Sequence, residues 1–206
     1  MQELESVRLK TVEMAELTLA MWQLTHRAFM EHNLELFPWI LDKENRLNEL
    51  EKQIGEELAK FGQKPYSEEE KIKAMAYANM AGDFELIGDY CKDMLERIQI
   101  KIEEKLLFVE EAVSEYEVLY KRAEGALSEL DFALKKNNPS LVKDVIKKDE
   151  HIDALVDEYR KKHNQRLIEG RCTPFACNMF LNMLDFTAAI YYHIKKIAKN
   201  LLKITE

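Results

Sequence analysis

The sequence predicts an all-α protein built as two tandem antiparallel three-helix bundles, six long helices in all. Three observations predict it. Only six Gly and four Pro interrupt 206 residues that are 47% hydrophobic and 33% charged, a profile of long amphipathic helices rather than of a sheet. Apolar residues recur at alternating spacings of three and four, which keeps them on one helix face. The second half of the chain also repeats the pattern of the first.

The first helix is expected from residue 2 to about 30, with Leu4, Val7, Met14, Met21, Leu24 and Phe29 among its apolar positions. The second runs from about 34 to 61, with Asn33 as its cap and Pro38 tolerated near its start. Its seam is Phe37, Ile40, Glu44, Leu47, Glu51, Ile54, Leu58 and Phe61, so two carboxylates interrupt an apolar stripe. After a short loop from Gly62 to Tyr66, Ser67 and Glu70 form a capping box that starts the third helix. Tyr77, Met80, Phe84, Ile87, Cys91, Met94 and Ile98 make its seam. The fourth helix, from about 108 to 136, carries Val109, Val113, Tyr116, Tyr120, Ala123, Leu127, Leu130 and Leu134, and no Gly or Pro marks its junction with the third. Asn138 followed by Pro139 opens the fifth helix, which Gly170 stops near Glu169. Thr173 and Pro174 repeat that opening for a sixth helix that runs almost to the end. Short connections force such helices to run up and down beside each other.

Sliding the chain on itself by 105 residues brings Phe37 onto Val142, Ile40 onto Val145, Leu47 onto Ile152 and Leu50 onto Leu155. Glu44 then falls on Asp149 and Asn48 on Asp153. For the third and sixth helices the matching register is 103, which pairs Met80 with Met183, Ile87 with Ile190, Cys91 with Ile194 and Met94 with Ile197. In that register Glu85 meets Ala188 and Asp89 meets Tyr192, so the second half has lost a carboxylate pair. The units are expected at 1–104 and 105–206.

A net charge of −8 argues against a nucleic-acid or anionic-membrane surface, because both need a concentrated basic patch. The longest uncharged run, Cys172 to Leu184, falls short of the roughly 20 residues a membrane span needs. Cys91, Cys172 and Cys177 are too few and too uneven for a disulfide framework, which points to a reducing, cytoplasmic setting. Cys172 and Cys177 have no second pair to complete a zinc site. None of the five His follows an acid by three residues, so the di-iron carboxylate signature is absent. There is likewise no phosphate-cradling Gly loop, no HExxH and no nucleophile elbow.

The stretch from Asn79, NMAGDFELIGDYCKDMLERI, resembles the DLERIGDHAxNIAE helix of PhoU-like phosphate-transport regulators. The stretch from Tyr159, YRKKHNQRLIEGRCTPFACNMFLNML, is similar to the variant fused behind the membrane part of bacterial Na+/phosphate cotransporters. The resemblance covers nearly the whole chain. It implies a cytoplasmic, non-catalytic regulator of phosphate uptake that contacts a phosphate transporter, either as a separate protein or as a covalently linked regulatory domain. No cofactor is required, although some members hold iron, zinc or other divalent cations at surface carboxylates.

Carried over by position, the resemblance offers Glu44, Asn48, Glu85 and Asp89 as a first cation site and Asp149 with Asp153 as a second. Glu85 and Asp89 are one turn apart beside Ala81, Gly82 and Gly88, small residues that leave room for a helix or an ion. Carboxylate and amide oxygens suit hard divalent cations. The competing expectation is a solvated Glu85–Asp89 pair, with Glu44 bound to a nearby Lys or Arg. On the sixth helix Leu181, Leu184, Ala188 and Tyr192 lie opposite the seam, so the helix is apolar almost all round and must be buried on two sides. Either it is central in the bundle, or that outer face docks onto a second copy, as a homodimer, or onto the transporter.

Overall fold

The computed structural model describes residues 2–61, 67–143, 145 and 152–204. Its long helices are α1 (Gln2–Glu31), α2 (Phe37–Phe61), α3 (Glu68–Glu103), α4 (Glu110–Lys135), α5 (Ile152–Ile168) and α6 (Pro174–Lys203). Two short 3-10 turns, Leu34–Leu36 and Pro139–Val142, precede α2 and follow α4. The all-α expectation holds, and no strand occurs among the described residues.

The starts follow the capping chemistry. Ser67 Oγ accepts from the Glu70 amide at 3.2 Å while Glu70 accepts from the Ser67 amide at 2.9 Å, which closes the capping box. Thr173 Oγ1 accepts from the Ala176 amide at 3.2 Å. Asn33 and Asn138 cap the 3-10 turns instead of opening α-helices directly. The ends share one device, a residue with positive φ that lets the next amide reach back five residues. It is His32 after α1, Lys105 after α3, Asn137 after α4 and Gly170 after α5. Lys105, with φ 52°, is the break that the sequence leaves unmarked, because a lysine stands where glycine is usual.

α1, α2 and α3 pack on one another, as do α4, α5 and α6, and α1 with α4 and α3 with α6 join the two triplets. Among the described residues, the contact between α3 and α6 is the most extensive. One continuous apolar core includes Met80, Phe84 and Ile87 of α3 and Met183, Ile190 and Ile194 of α6. α1 adds a polar regularity to that core. Thr11, Thr18 and Thr25 are fully buried seven residues apart, and each hydroxyl donates to the carbonyl one turn back at 2.9, 2.7 and 2.8 Å. Each thereby satisfies itself and can sit in the seam.

α3 and α6 are antiparallel, and their contact is nearly two-fold. In the 103-residue register Asp83 corresponds to Phe186 and Tyr90 to His193. Asp83 Oδ1 lies 2.8 Å from His193 Nδ1, and the Tyr90 and Phe186 rings are 6.1 Å apart. Asp83 is 2% exposed and also accepts from Lys196 Nζ at 2.5 Å. One side of the axis is therefore ionic and the other aromatic.

Gly88 has a separate purpose. A Cβ there would stand 2.8 Å from Leu47 Cδ1, so the glycine lets α2 and α3 come together, while a Cβ on Gly82 would meet nothing within 4 Å. The room expected beside the acids is thus filled by Leu47 at Gly88.

Asp83→Ala should lower unfolding stability by about 3 kcal/mol in urea titrations, because it strips the buried acid from its partners. Asp83→Phe with His193→Tyr, which copies the aromatic side of the axis, should recover most of that loss. Gly82→Ala should stabilise by roughly 0.5–1 kcal/mol through helix propensity, whereas Gly88→Ala should destabilise.

Candidate functional site

Glu44 projects from the buried stripe of α2 and is 5% exposed. Its Oε1 accepts from Lys92 Nζ of α3 at 3.0 Å and from Asn48 Nδ2 at 3.2 Å. The charge tolerated in that seam therefore has a lysine partner, which is the competing expectation for this residue. Asn48 presents its amide donor to Glu44 and lies on the exposed side of α2.

Glu85 and Asp89 are half-buried on α3. Burial, followed by the Asp89 charge, raises the Glu85 carboxyl above its usual range. Burial, followed by the Glu44 charge, raises Asp89, with Lys92 acting against it. Glu44, Glu85 and Asp89 thus share one patch of negative potential that Lys92 partly neutralises. They do not form a closed cage. Among the described residues, the only group of three His, Cys, Asp or Glu with ligating atoms all within 4.8 Å lies elsewhere. With Glu44 engaged by an ammonium and an amide donor, the first-repeat set does not fit a preformed multi-carboxylate cation centre. Of the second-repeat pair, Asp149 lies outside the described residues. Asp153 is largely exposed, 4.0 Å from Lys195.

The predicted docking face of α6 divides. Leu184 is fully buried, Leu181 and Ala188 are partly buried against the core, and Tyr192 is 60% exposed. This corrects the expectation for Leu184. α6 is apolar all round because it is central, with α3, α4 and α5 around it.

The close group is His163 with Cys172 and Cys177. Cys172 and Cys177 form a disulfide with a Cα separation of 6.0 Å, a single local bridge rather than the framework that three cysteines are too few to build. Helix capping explains the pairing. Thr173 is the N-cap of α6, so Cys172 holds the position before the cap and Cys177 the fourth helical position, which regularly touch across a helix start. That signal was present in the sequence. His163 comes from the buried face of α5, is 2% exposed, and stacks on Phe180 with centroids 4.3 Å apart. Burial, reinforced by the Arg166 charge, pushes its imidazole down to about 4, so it is neutral at pH 7. Arg166 is held by a buried two-point pair to Glu115 at 2.8 and 2.5 Å, and its Nη1 is 3.4 Å from His163 Nδ1. Nε2 of His163 is buried, and a hydrogen bond from the imidazole to the Cys177 backbone opposes part of the downward shift. Cys91, the remaining cysteine, is buried and free, its thiol pushed up to about 12 by burial.

Residues 11–98 match the PhoU domain family. No curated protein matches the sequence. Among solved structures, the chain is similar to PhoU from Pseudomonas aeruginosa with a TM-score of 0.92, at 17% identity over 99% of this chain and 97% of that one. It is similar to the phosphate transport system regulatory protein PhoU from Streptococcus pneumoniae with a TM-score of 0.86, at 16% identity over 99% and 95%. A PhoU-like protein from Shewanella oneidensis aligns at a TM-score of 0.59, with 13% identity over 99% and 98%.

The raised Glu85 carboxyl carries a pH dependence. Its folded pKa lies above the unfolded value, so folding disfavours the ionised form, and the cost is complete at neutral pH and vanishes as pH falls below the ordinary carboxylate range. Glu85→Gln should accordingly stabilise by a few tenths of a kcal/mol at pH 7 and by nothing near pH 3. Melting at both pH values checks this. Repeating the pH 7 melts with added Mg2+ tests the cation expectation, since a bound ion would raise the melting temperature of the wild type more than that of the variant.

Proposed function

We propose that this PhoU-like chain regulates phosphate uptake by contact with a phosphate transporter, not by catalysis, from the cytoplasmic side of the membrane. The likeness of the whole chain to PhoU proteins, one of them named as a phosphate transport system regulatory protein, is the observation that carries the proposal. The PhoU domain match over residues 11–98 supports it from the sequence. No described helix is long and apolar enough to cross a membrane, and in this reading the transporter is met through its water-exposed parts.

Contact is favoured over chemistry by what the structure offers at its acids. Glu85 and Asp89 lie at the surface as a negative patch suited to a basic partner surface, and Tyr192 supplies an exposed aromatic on the neighbouring helix. A second copy of this chain, as a homodimer, is the other partner consistent with such features. The segment from Tyr159 to Leu184 also favours a form of the same reading in which the module is joined covalently to a Na+/phosphate symporter.

Phosphate uptake should lose its dependence on external phosphate when the chain is deleted in its host, and recover it on re-expression. A photo-crosslinking residue at Tyr192 should capture a phosphate transporter subunit. Separately, Tyr192→Ala should weaken equilibrium binding to that subunit by about 2 kcal/mol in affinity without lowering the melting temperature. Unchanged uptake regulation together with capture of no transporter would refute the proposal.

A further inference from the structure

We propose that His163, Cys172 and Cys177, with the disulfide reduced, form a site for one thiophilic divalent cation, for which Zn2+ is the probe. This inference does not depend on the proposed role in phosphate uptake. A ring nitrogen of His163 and both sulfurs lie within 4.8 Å of one another, close enough to converge on a single ion. The donor set of one imidazole and two thiolates is one that zinc selects, with a fourth position left for water.

The surroundings are built for a fixed ligand. His163 is held by its stack on Phe180 and by Arg166, whose Nη1 lies 3.4 Å from Nδ1, so the ring is fixed before any ion arrives. Cys177 is 1% exposed on the first turns of α6, whereas Cys172 is only partly buried on the preceding turn and gives an ion access. The histidine comes from α5 and the sulfurs from the start of α6, so an ion would clamp the turn at Gly170 from both sides. The sequence supplies no second cysteine pair for zinc, and the fold supplies the histidine instead.

Ion and disulfide exclude one another, because each uses both sulfurs. A low-molecular-weight disulfide would drive the exchange. One thiolate attacks it and releases one small thiolate, then the second cysteine attacks the mixed disulfide and releases the other. The small disulfide is reduced, the two cysteines are oxidised, and the cation leaves to solvent.

The test is Zn2+ titration of the full chain against a chromogenic chelator, with and without a phosphine reductant, alongside Co2+ absorption. The reduced chain should bind one ion per chain and show thiolate-to-cobalt charge transfer, and the oxidised chain should bind none. Cys177→Ser and Cys172→Ser should each weaken binding at least a hundredfold, and His163→Gln at least tenfold. His163→Cys should retain the site with a third thiolate in the Co2+ spectrum, which guards against a glutamine variant that fails to fold. Glu85→Gln with Asp89→Asn should leave binding unchanged. Absence of binding by the reduced chain, or binding that survives Cys177→Ser and is lost with the two carboxylates, would overturn the proposal.

Discussion

The antiparallel contact between α3 and α6 is the constraint on which the rest of the molecule depends. Each three-helix triplet has one spare apolar face, and burying the third helix of each against the other uses both faces at once. Near two-fold symmetry then follows, since the same surface meets itself in reverse. Asp83 and His193 take one pair of equivalent positions, and Phe186 and Tyr90 take the other. A buried acid in this contact is paired only if its partner helix arrives in register. The aromatic side tolerates small shifts, while the Asp83–His193–Lys196 cluster does not, so the ionic side defines the alignment of the two triplets.

That same contact explains why the two halves differ in their charges. α6 is enclosed by α3, α4 and α5, so residues opposite its seam, such as Leu184, are core and not surface. A carboxylate pair at Ala188 and Tyr192, where α3 carries Glu85 and Asp89, would place one acid against the partly buried side of α6. On α3 the corresponding acids face outward beside α2, where Lys92 and water reduce their cost. Charge is kept where solvent reaches it.

Much of this was legible in the residues, because the features concerned are local. The capping box at Ser67, the cap at Thr173, the stop at Gly170 and the heptad seams are set by residues a turn or two apart, and each appears where the spacing put it. The break after α3 escaped because Lys105 adopts positive φ without a glycine to announce it. Asp83 is not distinguished by its spacing from Glu85 and Asp89, for its meaning lies in a partner 110 residues away. Periodicity shows that α6 is apolar all round, but only the number of neighbours decides between core and docking face.

The cysteines show the same boundary from the other side. Their proximity is local, fixed by the cap at Thr173, and a reading of positions before and after that cap suffices to pair them. What the pair can do is set by α5, which returns from its turn with His163, Arg166 and Tyr159 on one buried face. The Arg166–Glu115 pair anchors that face to α4, so the imidazole is placed by a buried ion pair and an aromatic stack rather than by its own helix alone. Capping brings the sulfurs together, and tertiary packing turns two sulfurs into a three-donor group. Chemistry at this end of the chain is therefore a property of the fold's second half, independent of the acids retained by the first.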